Sequence, residues 1–309
     1  MVGWAHQGIT IEEEEERKAL LEIKASLLEF SKSYDNLLSS WVVDDGSSYC
    51  DWEMINCNSI SSSSSGNSYK YIKDLSLGNI FSIEDEYDYE RDGRRGMIWR
   101  LIFSLFRHFK ELRRLDLSWN YIGNTFYVTT GLERLSELKK LENLNLSHNF
   151  IETNNIFLFL NELTSLKVLD LTYVNGIQGD SPTQGMCSQT ASTLRKLKVL
   201  NRGSNRFNES LLSSLSDLTS LKSLNLEGNL FSGSFPFQGI RALKVLILRR
   251  NEFNGTLPIE ADQHVLCQYL LYFESVQLQS LKKESLRKSL SVEEAAEKSL
   301  RKHLMIESF

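Results

Sequence analysis

Leucines and polar residues alternate in a short pattern that recurs along most of the chain. The stretch "LRRLDLSWN" begins at residue 112 and "LENLNLSHN" at residue 141, with leucines at the first, fourth and sixth positions and an asparagine at the ninth. Related stretches begin at 166, 197, 221 and 243, and a weaker copy begins at Ile72. The six clear copies are separated by 29, 25, 31, 24 and 22 residues. This spacing indicates a repeat of twenty-odd residues with inserted loops.

The pattern predicts an α/β repeat fold, a leucine-rich-repeat solenoid (horseshoe) with short parallel strands on its concave face. Leucines two residues apart point to the same side of a strand, and stacked units bury that side together. An asparagine side chain at the ninth position can hydrogen-bond the backbone where the strand turns away. We therefore expect structural roles for Asn120, Asn149, Asn205, Asn229 and Asn251. Val174 and Arg202 break the pattern, which predicts poorer packing around them and an escape route for the Arg202 charge.

Segments outside the repeats predict the domain organisation. Residues 1–11 are expected to be disordered, 12–70 to form an N-terminal cap with a serine-rich loop, 71–260 to hold about seven repeats, and 261–309 to form a helical, non-repeat tail. A helix is predicted from 13 to 30, with one apolar face that covers the first repeat. That face is expected to contain Leu20, Ile23, Leu27, Leu28 and Phe30.

Two cysteines bracket the segment "CDWEMINC" between this helix and the first repeat. Cys50 and Cys57 favour a disulfide over a zinc site or free thiols, because no second pair of Cys or His residues lies at ligand spacing. Cys187 and Cys267 fall in different repeat loops and are expected to stay unpaired.

Composition and charge exclude several classes of protein. The 309 residues carry 35 basic and 40 acidic side chains, a net charge of −5, which argues against a nucleic-acid partner. No apolar run approaches the roughly 20 residues that cross a bilayer, and "MVGWAHQGIT" lacks the features of a secretory signal. We thus expect neither a membrane span nor an export signal in this chain.

The motifs together resemble the N-terminal part of the ectodomain of a plant leucine-rich-repeat receptor-like protein. The resemblance rests on "ERKALLEIKASL", "LLSSW", "CDWEMINC", "SLFRHFKELRRLDLSWN", "NLFSGSFP" and "NEFNGTLP". It implies a secreted, glycosylated ectodomain at the plasma membrane that has no kinase of its own. It also implies a protein, peptide or cell-wall-derived ligand and signalling with a co-receptor kinase in defence or development.

Departures from that family lead to further expectations. The repeat phase is lost after Pro258, and the tail has no capping cysteines, which favours a truncated gene product over a short soluble member with a helical lid. The alternative function is a soluble inhibitor of a cell-wall-degrading enzyme such as a polygalacturonase. A cytosolic substrate adaptor is a third, less favoured class.

Catalysis finds no support in the sequence. The five histidines are scattered, and no nucleophile, glycine-rich phosphate loop or metal motif accompanies them. We therefore predict a non-enzyme that needs no cofactor and no metal.

Ligand recognition is predicted instead on the concave face. The position two places after the second strand leucine holds Trp119, His148 and Tyr173 in consecutive units and Arg250 in the last one. Tryptophan, tyrosine and arginine are the residue types that most often anchor interfaces. The position between the leucines adds Asp116 and Asp170. A charged insertion at 83–96 is a second candidate, although a solvated loop is the simpler interpretation.

Three sequons mark candidate glycosylation sites. They lie at Asn145, Asn208 and Asn254 and matter only in a secreted protein. A glycan on Asn145 would block the surface next to His148, so the sequence predicts either an unmodified Asn145 or a ligand that binds elsewhere.

Overall fold

The computed structural model describes the N-terminal cap and the strands of the repeats. The described residues are 10–30, 37–43, 47–61, 68–80, 99, 101–120, 122–123, 131–151, 160, 162–174, 194–207, 218–235 and 242–254. The chain divides into two compact units. The first unit comprises 1–141 and 149–163, and the second comprises 142–148 and 164–309.

Helix α1, Ile11–Phe30, forms one side of the cap in the first unit. The Thr10 hydroxyl accepts the backbone N–H of Glu13 at 3.2 Å, and the Glu13 carboxylate accepts the backbone N–H of Thr10 at 2.9 Å. This reciprocal capping box explains why the helix begins here. Leu20, Ile23 and Leu27 are fully buried, as predicted, whereas Leu28 is 38% exposed. Leu28 lies one residue off the four-residue spacing and so turns away from the core.

Basic side chains of α1 donate hydrogen bonds to the backbone of the loop that follows the helix. Lys24 Nζ donates to the carbonyl oxygens of Leu38 and Trp41, each at 2.8 Å. The Arg17 guanidinium donates to the Ser47 carbonyl at 2.8 Å and lies 5.3 Å from the ring centre of Trp52. Trp52 in turn stacks on Trp41 at 5.8 Å. The cap thus has its own aromatic core, stabilised by charge-assisted hydrogen bonds.

A disulfide joins Cys50 to Cys57, which are seven positions apart in the sequence. Cys50 lies in the 3-10 helix Tyr49–Asp51, and Cys57 lies in strand β1, Ile55–Ser61. Strand β1 pairs antiparallel with β2, Ser68–Ser76, which belongs to the first repeat. The predicted disulfide is confirmed. It joins two parts of the cap, and the pairing of β1 with β2 connects that segment to the first repeat.

Each of the seven predicted repeats contributes a parallel strand. In the first unit, β2 pairs with β3, Arg114–Asp116. In the second unit, the strands pair successively in register with their leucines aligned. These strands are β4 (Asn143–Asn145), β5 (Val168–Asp170), β6 (Val199–Asn201), β7 (Ser223–Asn225) and β9 (Val245–Ile247). The short strands β8, Ser232–Gly233, and β10, Glu252–Phe253, form a separate parallel pair.

Two 3-10 helices, Phe103–His108 and Leu132–Glu137, precede β3 and β4 respectively. Phe103, Phe106 and Phe109 are fully buried beside the leucines of the first unit. Within the first unit, these phenylalanines extend the apolar core that the strand leucines begin. The predicted leucine-rich-repeat fold is confirmed. No helix within the described residues is long and apolar enough to cross a membrane.

The asparagines at the ninth position form rungs between successive repeats. Asn229 Nδ2 donates to the carbonyl oxygens of Leu226 in its own repeat and Arg202 in the preceding one, each at 2.9 Å. Its Oδ1 accepts the backbone N–H of Phe207 at 3.1 Å. Equivalent bonds are made by Asn120, Asn149, Asn205 and Asn251. The prediction that these five residues are structural is correct.

The pattern-breaking residues are also buried. Val174 is fully buried, so a small apolar side chain fills the asparagine position; the poorer packing around it stays a prediction. Arg202 is 3% exposed, and its guanidinium carbon lies 5.2 Å from the ring centre of Phe207. The Arg202 charge therefore does not reach solvent but lies against the face of the Phe207 ring, which stabilises a buried cation.

Asn79 explains why the first repeat looked irregular. Its φ of 53° places it in the left-handed region, where asparagine is tolerated better than most residues. Ile80 takes the ninth position, and its backbone N–H donates to Asn120 Oδ1 at 3.2 Å. The first repeat thus keeps the phase of the others but lacks its own rung.

Several predicted segments lie outside the described residues. They are residues 1–9 of the N-terminal segment that was predicted to be disordered, most of the serine-rich loop, the charged insertion at 83–96, Cys187, Cys267, and the tail from 261 to 309.

Candidate functional site

The repeat position that holds Trp119, His148 and Tyr173 lies in the turn that follows each strand. In the second unit, His148, Tyr173, Ser204 and Arg250 have φ values of 54°, 54°, 52° and 56°, and Gly228 has 63°. These left-handed residues form the turn column. Left-handed geometry costs a non-glycine residue roughly 1–2 kcal/mol, and such strain concentrates at ligand-binding positions.

Backbone hydrogen bonds hold the turn column in register. The N–H of His148 donates to the carbonyl of Thr172 at 2.8 Å, and the N–H of Tyr173 donates to that of Gly203 at 3.0 Å. Ser204 and Gly228 donate in the same way to Glu227 and Arg249. The sheet-like ladder therefore continues past the strands, and it sets adjacent turn-column residues one strand spacing apart, about 5 Å.

His148 and Tyr173 form a stacked pair on this ladder. Their ring centres are 5.3 Å apart and their planes are inclined by 16°. Tyr173 is 55% exposed, and burial lowers the pKa of the His148 imidazole below its usual value. The imidazole is consequently uncharged at neutral pH, which suits a flat apolar surface with a hydrogen-bonding edge.

A compact ion cluster ends the turn column. Arg250 Nη1 lies 3.4 Å from Glu227 Oε1, and Arg249 Nε contacts the same oxygen. The Glu227 side chain is 12% exposed, whereas that of Arg250 is 67% exposed. Two arginines share one carboxylate, so the cluster carries a net positive charge and the Arg250 guanidinium still faces solvent.

The carboxylates and amides between the strand leucines have a structural role. Asp170 Oδ1 accepts the backbone N–H of Thr172 at 2.9 Å and its hydroxyl at 2.7 Å, while Oδ2 accepts Asn201 Nδ2 at 3.0 Å. Asn225 Oδ1 accepts the N–H of Glu227 at 2.9 Å. These side chains close local turns, so Asp170 has less capacity for a ligand than its position suggested.

The first unit holds the other two predicted site residues. Trp119 occupies the same left-handed position, with φ of 56°, and is 42% exposed. Asp116 Oδ1 accepts the backbone N–H of Ser118 at 2.9 Å, which repeats the turn-closing role of Asp170. The prediction that Trp119 extends the ring-bearing surface stays a prediction.

A row of lysines went unnoticed in the sequence interpretation. The second position of the repeat holds Lys167, Lys198, Lys222 and Lys244 in four successive repeats. Each precedes a strand of the second unit, so the row lies at the end of the strands opposite to the turn column. The recurring "LK" of four repeats was the signal that could have revealed it.

The sequons differ in their surroundings. Asn145 lies in β4, and its Oδ1 accepts both the N–H and the hydroxyl of Ser147, at 3.1 and 2.8 Å. Asn254 is exposed, and Asn208 lies outside the described residues. Asn254 is therefore the more accessible of the two described sites.

Comparison with known proteins relates this chain to plant receptors. Residues 13–58 match the family model described as Leucine rich repeat N-terminal domain. Receptor-like protein 13 of Arabidopsis thaliana is 35% identical over 263 residues, which cover 74% of this chain and 22% of that protein. Receptor like protein 21 of the same organism is 33% identical over 243 residues, or 77% of this chain and 22% of that protein.

A similar solved structure is the crystal structure of PEPR1-AtPEP1, with a TM-score of 0.49 and 22% sequence identity, covering 83% of this chain and 31% of that chain. This chain spans about a fifth of the length of the two receptor-like proteins it matches. Among the described residues, no group of three or more His, Cys, Asp or Glu side chains could hold a metal ion.

Proposed function

Because this chain belongs to the plant leucine-rich-repeat receptor-like proteins, we propose that it is a non-catalytic module for ligand recognition. The ligand is a protein, a peptide or a fragment derived from the cell wall. The module acts in the extracellular space or at the plasma membrane. Signalling in defence or development then passes through a co-receptor kinase that binds the same receptor.

The observation that carries this proposal is the stack of the half-buried His148 ring on the exposed Tyr173 ring. Left-handed φ values recur at this position in all seven repeats, so the turn itself belongs to the scaffold. Glycine would adopt it at lower cost than these ring-bearing residues, so the rings are not explained by the turn. Aromatic side chains on a rigid backbone offer a large contact area with few rotatable bonds to order. The stack is thus suited to anchor one residue of an extended ligand.

Arg250 supplies a charge further along the same column. Its guanidinium is exposed, and Glu227 holds it from one side. A positioned guanidinium can bind a carboxylate through two parallel hydrogen bonds. A ligand with an apolar or aromatic residue at one end and an acidic group at the other fits the turn column of the second unit.

Trp119 and Asp116 form the corresponding recognition position within the first unit. Trp119 is exposed in the equivalent turn, and Asp116 occupies the position equivalent to Asp170. Among Trp119, Asp116 and Asp170, Trp119 has the main role in recognition, because both aspartates already close backbone turns.

A random-peptide library displayed on phage tests the proposal. Peptides selected on the full chain are titrated against wild type, His148→Ala, Tyr173→Ala and Leu230→Ala. Truncation of an interface anchor typically costs about 2 kcal/mol or more, so both ring variants should weaken binding by roughly thirtyfold. Leu230 is a matched control, since it is 54% exposed in the same unit but lies outside the turn column.

Two outcomes would contradict this function. One is a set of selected peptides that bind the ring variants as well as they bind Leu230→Ala. The other is equal loss of binding in all three variants while circular dichroism shows that each remains folded, because binding would then not depend on the turn column.

A further inference from the structure

A gap in the turn column beyond Tyr173 is the strongest feature of the second unit without an assigned role. His148 and Tyr173 occupy consecutive positions of the column, and their ring centres are 5.3 Å apart. This distance is close to the strand spacing of about 5 Å. The next two positions hold Ser204 and Gly228, which carry a short hydroxymethyl group and no side chain. A regular stack of rings therefore begins in this column and stops after Tyr173.

The backbone holds Ser204 directly beside Tyr173. The N–H of Tyr173 donates to the carbonyl of Gly203 at 3.0 Å, and the N–H of Ser204 donates to the carbonyl of Glu227 at 2.6 Å. Ser204 is exposed and Gly228 is half-buried. A Cβ added to Gly228 would lie 3.4 Å from Ser204 Oγ, so these two residues are close neighbours and form the floor of the gap.

Tyr173 and Arg250 form the two ends of the gap. His148 covers one face of the Tyr173 ring, and no other ring contacts Tyr173 among the residues that the structure describes. The side chain of Arg250 is 67% exposed. Three steps of the column separate Tyr173 from Arg250, a distance of about 15 Å. The gap thus runs from an open aromatic face to an exposed guanidinium.

We propose that this ring gap, defined as Ser204 and Gly228 between Tyr173 and Arg250, binds an aromatic side chain of an extended peptide. The inference rests on the proposed function and names the group of the ligand that the turn column selects. The ligand ring lies over Ser204 and stacks on the outer face of Tyr173, where a third ring of the column would lie. Aromatic rings attract one another at centre distances of about 4.5 to 7 Å, and the column spacing falls within this range. Ser204 and Gly228 then determine specificity, because a larger side chain at either position would fill the gap.

Arg250 further restricts which peptides fit. It lies two steps of the column from Ser204, or about 10 Å. Side chains two or four positions apart lie on the same side of an extended peptide, roughly 7 or 13 Å from each other. A peptide with an aromatic and an acidic residue at either of these separations can therefore contact both Tyr173 and Arg250.

A sugar ring fits the gap less well, because the carboxylate and amide oxygens beside it are already occupied. Asp170 accepts hydrogen bonds through both of its oxygens. Asn201 Oδ1 accepts the N–H of Gly203 at 3.3 Å, and Asn225 Oδ1 accepts the N–H of Glu227 at 2.9 Å. The hydroxyl groups of a sugar would find few free acceptors here, whereas the face of an aromatic ring needs none.

The test uses two phage libraries of short random peptides, one with a fixed central tyrosine and the other with a fixed central leucine. Both are selected on the full chain as wild type, as Ser204→Tyr and as Leu230→Tyr. Ser204→Tyr places a protein ring in the gap, at a column position where Tyr173 itself shows that a ring is accepted. Leu230→Tyr is the matched control, since it adds the same ring to an exposed position outside the turn column.

Wild type and Leu230→Tyr should enrich the tyrosine library, with acidic residues two or four positions from the fixed tyrosine. Ser204→Tyr should lose this enrichment and bind the selected peptides roughly thirtyfold more weakly, as expected when an anchor is excluded.

A double-mutant cycle measures the contact between the two rings directly. The fixed tyrosine of a selected peptide is changed to leucine, and the peptide is titrated against wild type and Tyr173→Leu. The loss of affinity should be about two- to tenfold larger in wild type, because only there do two rings stack.

Several results would overturn the inference. They are equal enrichment of the two libraries by wild type, equal binding by Ser204→Tyr and Leu230→Tyr, and no coupling in the double-mutant cycle. Competition by cellohexaose that Ser204→Tyr abolishes would assign the gap to a sugar instead. If circular dichroism shows that Ser204→Tyr does not fold, the cycle decides alone.

The proposed function can fail or survive separately. No enrichment of either library by wild type would overturn both ideas. Weaker binding by Tyr173→Ala with unchanged binding by Ser204→Tyr would leave recognition by the turn column in place and remove only the ring gap.

Discussion

At the scale of single residues, the buried carboxyl of Glu16 couples three parts of the cap. Glu16 is 4% exposed. Its Oε2 accepts the Tyr49 hydroxyl at 2.8 Å and the backbone N–H of Ile72 at 3.1 Å. Burial raises the pKa of Glu16 to about 7 despite these hydrogen bonds, and it also raises the pKa of Tyr49. One carboxyl thus connects α1, the disulfide-bonded segment and the first repeat.

Glu16 should make the stability of the cap depend on pH. Its folded-state pKa lies above the unfolded value of 4.5, so the folded cap binds the proton more tightly. This contribution is present below pH 4.5 and is lost as the pH rises through about 7. The rise of the Glu16 pKa from 4.5 to about 7 corresponds to about 3 kcal/mol. Urea unfolding followed by tryptophan fluorescence should show a more stable cap at pH 5 than at pH 8.

Glu16→Gln is the matched variant for this pH effect, since an amide has the same shape and does not titrate. Its urea midpoint should change much less between pH 5 and pH 8 than that of wild type. Equal pH dependence in both proteins would show that another group is responsible.

Two single residues test the strain in the turn column. Ser204→Gly should stabilise the second unit by about 1 kcal/mol, because glycine adopts the left-handed conformation at lower cost. Gly228→Ala should destabilise it by a similar amount, since an added Cβ would meet Ser204 at an ordinary 3.4 Å contact and only the backbone is strained. Urea midpoints check both changes, and a shift in the same direction for both variants would refute the strain argument.

At the scale of elements, the disulfide between the 3-10 helix and β1 should stabilise the cap. Cys50→Ala combined with Cys57→Ala should reduce the free energy of unfolding by about 2 kcal/mol in the chain-entropy model. Hydrogen exchange at the amides of β1 and β2 is the local measurement, and it should speed up in the double variant. Reduced wild-type protein is the control and should behave like the variant; unchanged exchange in both would contradict the prediction.

The elements that sequence could predict are those set by local periodicity. Leucine spacing predicts the seven parallel repeat strands but not β1, β8 or β10. The ninth-position asparagines predict the rungs, because both features depend on a pattern within one repeat. The left-handed turns are harder to predict, since bulky residues such as Trp119 and Tyr173 seldom adopt a positive φ. Contacts such as Glu16 with Tyr49 and Ile72 join distant segments and leave no periodic signal.

Site residues were predictable only in part, for a related physical reason. The ring-bearing column stands out because its side chains are unusual, whereas Lys167, Lys198, Lys222 and Lys244 recur with the same period as the scaffold leucines and do not stand out. Asp116 and Asp170 look available for a ligand in the sequence, but their oxygens close backbone turns. Only the three-dimensional structure distinguishes a carboxylate oxygen that already accepts a backbone hydrogen bond from one that is open to a ligand.

At the scale of the whole molecule, net charge is a poor guide to local recognition. The chain carries a charge of −5, yet the second unit presents a line of lysines at one end of its strands and arginines at the end of its turn column. Because one repeat position recurs on neighbouring strands, a weak preference at that position becomes a continuous surface.

The most direct test of ligand recognition by the turn column is a photo-crosslinking measurement. Tyr173 is replaced by p-benzoylphenylalanine in the full chain, and the same substitution at Leu230 serves as the control. After irradiation with a peptide selected on the wild-type chain, mass spectrometry should find the peptide attached at position 173 and not at position 230. Crosslinking at 230 alone, or at neither position while the peptide remains bound, would contradict the proposed site.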